Sequence, residues 1–189
     1  MNLNELRDKA YNMACRHRWH ENELSDEHFL MLIITELSEA VKADREGKYA
    51  RINDYEFDKT FAIKEAHLYG RDLDDFLEHK FEVYIKDTVE DELADVVIRC
   101  LDLAGARKID LKVKEGDHEA FSEDTFTEAI FRITRVAAYG CSDGLWLGLP
   151  EIIGDVLAFC RLKGVDIEWH VKQKMRYNES RPMKHGKKY

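Results

Sequence analysis

The chain is short of the residues that break helices and of those that staple small folds. Among 189 residues there are two prolines and ten glycines, so long uninterrupted helices are available almost everywhere. The four cysteines, Cys15, Cys100, Cys141 and Cys160, form no C-x-x-C and no metal-ligand spacing. Cys100 and Cys160 lie in apolar runs, where a free thiol acts as a small hydrophobe, so a reducing compartment is expected. No stretch reaches the roughly 18 apolar residues of a membrane span, and no apolar signal region opens the chain. A soluble, cytoplasmic protein is the expectation. Positive charge is outweighed, 29 Lys and Arg against 38 Asp and Glu. A formal net charge of −9 argues against general nucleic-acid binding, which needs a basic face.

The net charge is uneven along the chain. His170 to Tyr189 holds seven Lys/Arg against one Glu, so this tail carries +6 and the first 169 residues carry −15. A basic tail on an acidic body suits an anionic small ligand held between cations. With 44% hydrophobic residues the chain can bury a real core, and its length fits one domain over 1–189.

Apolar periodicity predicts an antiparallel all-α bundle, with a four-helix core, extra helices and an insert at about 48–86. A first helix is expected from Asn4 to about Arg18. A second, capped by Ser25 or Asp26, runs to about Glu46. The signal weakens from Lys48 to Lys86, where eight of the seventeen Phe and Tyr residues fall. These aromatics imply a satellite core with a helix near Leu73–His79; Phe81, Val83 and Ile85 alternate as a short strand would. Asp87-Thr-Val-Glu90 reads as a capping box for the next helix, which ends near Gly105 or Arg107. Ser122-Glu-Asp-Thr is expected to cap a helix stopped by Gly140. Pro150 is expected in the first turn of another that ends at Gly164. Asp166 caps the last, with His170, Lys174, Asn178 and Arg181 on one face.

The chemistry sits in two acidic pairs, Glu36-Leu-Ser-Glu39 and Glu92-Leu-Ala-Asp95. Residues three apart project roughly 60° from each other on a helix turning ~100° per residue. Each pair thus shows two carboxylates at one edge of an apolar stripe. Packed together, the stripes would converge four acids that repel one another unless cations neutralise them. Oxygen ligands select hard ions, Mg²⁺ first and Mn²⁺ as a substitute. Solvated helix faces are the plainer alternative. An echo recurs at Asp155-Val-Leu, with Glu151 four residues before; it reads as shared bundle grammar, not a second metal site.

E-x-x-E followed by E-x-x-D on paired helices resembles the MazG-like all-α nucleoside triphosphate pyrophosphohydrolase superfamily. Glu92-Leu-Ala-Asp95-Val-Val-Ile-Arg99 is similar to that family's second motif helix. Lys174-Met-Arg-Tyr-Asn178-Glu-Ser-Arg181-Pro182-Met-Lys184-His185-Gly186 resembles its C-terminal signature. The resemblance covers roughly residues 3–47, 87–110 and 165–188. It implies Mg²⁺-dependent cleavage of a nucleoside or deoxynucleoside triphosphate to monophosphate and pyrophosphate. The metal would be held by Glu36, Glu39, Glu92 and Asp95, and the phosphates by Lys174, Asn178 and Arg181. Trp19 would stack on the base, and the protein would be a homodimer or homotetramer. Two features depart from the family pattern. The 52-residue spacer between Glu39 and Glu92 is long, and Thr35 stands where some members carry a further acid, which leaves the base open, with Glu39 the candidate.

Two alternatives stay open, and a third lacks its ligands. A ferritin-like di-iron protein needs Glu-x-x-His pairs, and positions 39 and 95 are Glu and Asp. A helical regulatory module would bind nucleotides without turnover. A dUTPase- or dCTPase-like enzyme would have a narrow base specificity.

Overall fold

In a computed structural model, which describes residues 1–69, 72–114, 118–139 and 144–183, the described chain is all helical. The helices are α1 (Leu3–Arg16), α2 (Asp26–Arg45), α3 (Ile52–Tyr69), α4 (Leu73–Tyr84), α5 (Val89–Ala106), α6 (Phe126–Tyr139), α7 (Leu145–Leu162) and α8 (Ile167–Ser180). A short 3₁₀ turn, His118–Phe121, precedes α6.

Helix α5 is the axis of the molecule. Leu93, Val96, Val97, Cys100, Leu101 and Leu103 are all 1% exposed or less. A helix with so broad an apolar surface beside its acidic edge is stable only when surrounded, and α5 is packed by α1, α2, α7 and α8. Helix α6 closes a ring by packing on both α2 and α7. The α2–α5–α7–α6 ring is a four-helix bundle, cored by residues such as Ile33, Leu37, Val97, Ile133, Ile152 and Phe159. On the outside of α5, α1 approaches so closely that a Cβ at Gly105 would lie 2.5 Å from Tyr11 Cβ. Glycine at that position lets the two backbones touch.

Local chemistry sets the ends. Ser25 caps α2, accepting from His28 N–H. The box before α5 falls one residue later than the sequence suggested. Thr88 is the cap and accepts from Asp91 N–H at 3.4 Å, while the Asp91 carboxylate accepts from Asp87 N–H at 3.0 Å. Asp87 makes room for this by adopting φ 58°, a left-handed conformation Asp tolerates better than most residues. Thr125, not Ser122, caps α6, in a reciprocal box with Glu128. Ser122 instead donates to Glu119 C=O inside the 3₁₀ turn.

Two expectations are corrected. Pro150 lies inside α7, which begins a turn earlier, at Leu145. The bond that proline cannot donate would have gone to the carbonyl of Trp146, on an exposed first turn that water can reach. And 81–85 is no strand: Phe81 and Ile85 are buried together at helical spacing, while Val83 is exposed.

The insert is therefore a helical hairpin, α3 packed on α4. Tyr55, Phe81 and Ile85 join Tyr177 of α8 in a second, smaller core. Phe81 and Tyr177 stack with ring centroids 4.6 Å apart. Glu90, at the start of α5, accepts from Ala50 N–H at 2.9 Å and pins the entry to the hairpin. Gly140, Cys141, Lys184, His185 and Gly186, all singled out in the sequence, lie outside the described residues. Among the described residues no helix is long and apolar enough to cross a membrane.

Candidate metal and nucleotide site

Helices α2 and α5 turn their acidic edges toward each other. One carboxylate oxygen from each of Glu36, Glu39 and Glu92 lies within 4.8 Å of the others. Glu36 and Glu92 are buried and Glu39 is exposed. Asp95, the fourth acid of the pattern, takes a different partner: its Oδ2 lies 2.9 Å from Lys174 Nζ. The same ammonium donates to Asp91 Oδ2 at 2.6 Å. Asp87, Asp91 and Glu92 form a second oxygen cluster within the same 4.8 Å limit, with Glu92 common to both.

Burial raises the energy of these charges. Burial first, then the neighbouring Asp95 charge, lifts Glu92 to about 9. The same two causes lift Glu36 to about 7 against the pull of Arg99. Arg99 donates to Glu36 Oε1 through Nε at 2.9 Å and through Nη2 at 2.8 Å. Lys174 is held well above its ordinary range by Asp95 and Asp91, which outweigh the burial that opposes its charge. Two protein cations thus neutralise part of an acid cluster that burial alone would protonate.

A cavity of about 270 Å³ opens beside the acids. Lys174, Asn178 and Arg181 line one side, and Trp19 lines another. Buried Asn178 leaves its side-chain Oδ1 without a hydrogen-bond partner, and Asp91 Oδ1 is likewise unpartnered. Arg181 caps α8 with an extended backbone, φ −70° and ψ 152°, as the following Pro182 requires. It lines the cavity even so.

The sequence-predicted residues therefore share one space: Glu36, Glu39, Glu92, Asp95, Lys174, Asn178, Arg181 and Trp19 all border it. His170 does not. Its ring is buried beside Trp169 with both nitrogens unpartnered, and burial pushes it down to about 4. His20, in the turn after α1, is half-buried and bound to Asp102 at 2.7 Å. Asp91 was missed, because an acid in a first turn ordinarily faces water. Arg99 was visible only as a letter of a motif.

The donor set is all oxygen and fits a hard divalent cation. Comparison with protein-family models, curated proteins and solved structures finds no match to this chain.

Proposed function

We propose that the protein is a Mg²⁺-dependent nucleoside triphosphate pyrophosphohydrolase, cleaving (d)NTP to (d)NMP and pyrophosphate. The observation that carries this reading is the approach of Glu36, Glu39 and Glu92 to within 4.8 Å, at the wall of a cavity also lined by Lys174, Asn178 and Arg181. The motif resemblance of the same residues supports it. Glu36, Glu39, Glu92 and Asp95 would hold Mg²⁺, or Mn²⁺ in its place, which neutralises phosphate charge and acidifies water.

The chain's own residues supply the rest. Glu39 is the solvent-facing acid of the cluster and takes the proton from the attacking water. A water oxygen bonds to the α-phosphorus, the bridging bond to the β-phosphate breaks, and pyrophosphate leaves. Arg181 pairs with phosphate oxygens through its planar fork and Asn178 donates its amide. Lys174 leaves Asp95 for phosphate when the acid cluster gains another cation. Trp19 covers the base. Arg99 stays on Glu36 and sets the direction of its carboxylate. Self-association into a dimer or tetramer belongs to this reading; exposed Phe57, Phe61, Phe131 and Trp146 give the bundle apolar surface to cover.

A nucleotide-binding regulatory module is favoured by one specific observation. Glu36 and Asp95 already have internal counter-ions in Arg99 and Lys174, so the fold tolerates the cluster without a metal. Incubation with a panel of NTPs and dNTPs plus Mg²⁺ separates the two. Monophosphate and pyrophosphate are expected. Diphosphate and phosphate, or no product, contradicts the enzyme.

A further inference from the structure

The cavity has two ends of different chemistry. The acids and Lys174 form one. From there it follows α5 to Ile98 and Asp102, between Phe29 and Leu24 on one side and Met13 on the other. Asp95 and Asp102 are seven residues apart on one helix, two turns and about 10.5 Å along the axis. That is the scale on which a nucleotide passes from its α-phosphate, across the sugar, to the edge of its base. Arg99, one turn along, is engaged with Glu36. The lining beyond the acids is largely apolar, with His17, His28 and the Asp102 carboxylate as its polar groups.

That carboxylate is held firmly. Asp102 is 9% exposed, and its Oδ1 lies 2.7 Å from His20 Nε2. His20 is itself fixed, stacked on Phe29 at 5.5 Å and meeting Tyr11 edge-on at 5.0 Å. The bond from His20 sets the plane of the Asp102 carboxylate, and a carboxylate offers acceptors only.

Resting on the nucleotide reading above, we propose that Asp102, oriented by His20, reads the base, and that the substrates carry a base with an amino group on that edge (cytosine N4 or adenine N6) in preference to uracil or thymine. An exocyclic amino group presents the donor this carboxylate lacks, as when Asp or Glu accepts from cytosine N4. Uracil and thymine place O4 there instead. Two acceptors then face each other at a buried carboxylate, and both lose their hydrogen bonds. A site built to pair with a substrate N–H discriminates strongly against an analogue without it.

The test is kcat/KM for dCTP, dATP, dGTP, dUTP and dTTP with Mg²⁺, in the wild type and in Asp102→Asn. Calorimetric Kd values for the α,β-imido analogues of dCTP and dUTP accompany it. The wild type is expected to favour dCTP over dUTP by roughly 5- to 150-fold, the range of one good base contact. In Asp102→Asn the amide can offer its donor to O4, so the ratio should fall to within about threefold, with dUTP gaining. A purely structural role for Asp102 would slow all substrates alike and leave the ratio unmoved. His20→Gln, which loosens the carboxylate without removing it, should narrow the ratio partway, and it carries the test if Asp102→Asn does not fold. Equal use of dCTP and dUTP by the wild type overturns the proposal, as does an unchanged ratio in Asp102→Asn. A change in ribose-versus-deoxyribose preference in place of base preference also overturns it. In each of these cases the pyrophosphohydrolase reading stands. Absence of turnover with no binding of either imido analogue contradicts both.

Discussion

The two sides of the four-helix ring share one grammar and differ in what lies outside them. On one side α2 and α5 carry Glu36, Glu39, Glu92 and Asp95; on the other, α7 carries Glu151 and Asp155 opposite α6. Asp155 is half-buried and lifted to about 6 by burial, then by Glu151, against the pull of Arg132. So far the sides match. But α5 is covered by α1 and α8, and Trp19 after α1 with Lys174, Asn178 and Arg181 of α8 and its cap line a cavity beside the acids. Outside the ring, α7 is packed by the 3₁₀ turn, and among the described residues no outer helix covers it as α1 and α8 cover α5. A buried acid on a bundle helix is therefore an ordinary event. A site arises where outer helices supply counter-charges and a pocket.

The largest effect that breaks the comparison is catalytic. Glu36→Ala or Asp95→Ala should lower Mg²⁺-dependent turnover by roughly 100-fold or more, beyond the cost of losing a merely supporting partner. Far-ultraviolet circular dichroism should stay near that of the wild type. Asp155→Ala on the other side should leave turnover unchanged. Near-normal activity in either of the first two variants removes the site.

Next in size is the counter-charge itself. Lys174→Met leaves Asp91 and Asp95 without their ammonium, and removing one partner of a buried pair costs about 3–5 kcal/mol. At about 2–4 °C per kcal/mol for a chain of this length, thermal melting should show a Tm drop of roughly 6–20 °C. Adding Asp91→Leu should return most of that stability but not the nucleotide affinity. If the double variant recovers KM as well, Lys174 is only structural.

A smaller effect separates the sides by pH. Glu92 titrates near 4.3 when unfolded and at about 9 when folded, so between those values the native state holds the extra proton. Stability of the metal-free protein should therefore fall as pH rises through that window. Glu36, at about 7, adds to the fall below neutrality. Glu92→Gln should flatten it and raise Tm at pH 8. Asp155→Asn should remove only the part of the fall that develops between roughly pH 4 and the folded value of about 6, leaving a constant gain above it. Melting curves across pH 4–9 check both, and a flat wild-type profile contradicts the buried-charge account.

The parts of this arrangement that sequence reading found are those written in periodicity. Leu30, Ile33, Leu37 and Ala40 recur on one face of α2, and Glu36 stands at its edge, so both the helix and its acid were legible. In the insert, α4 and the aromatic satellite core were legible but α3 was not, because it has no clean face: Tyr55 and Ala62 are buried while Phe57, Phe61 and Ile63 are exposed. Asp91 escaped notice because its partner Lys174 is 83 residues away, and no local spacing encodes a pairing made across the bundle. The contact between Asp102 and His20 was hidden for the same reason. His20 sits in the turn after α1, and only the packing of α1 on α5 carries it to Asp102.

The central claim is that Glu36, Glu39, Glu92 and Asp95 bind divalent cations jointly, and titration calorimetry with Mn²⁺ on the nucleotide-free protein measures this directly. Saturable binding is expected in the wild type and in Asp155→Ala, and its loss in both Glu36→Ala and Asp95→Ala. Mn²⁺ binding that survives unchanged in those two variants would contradict the account.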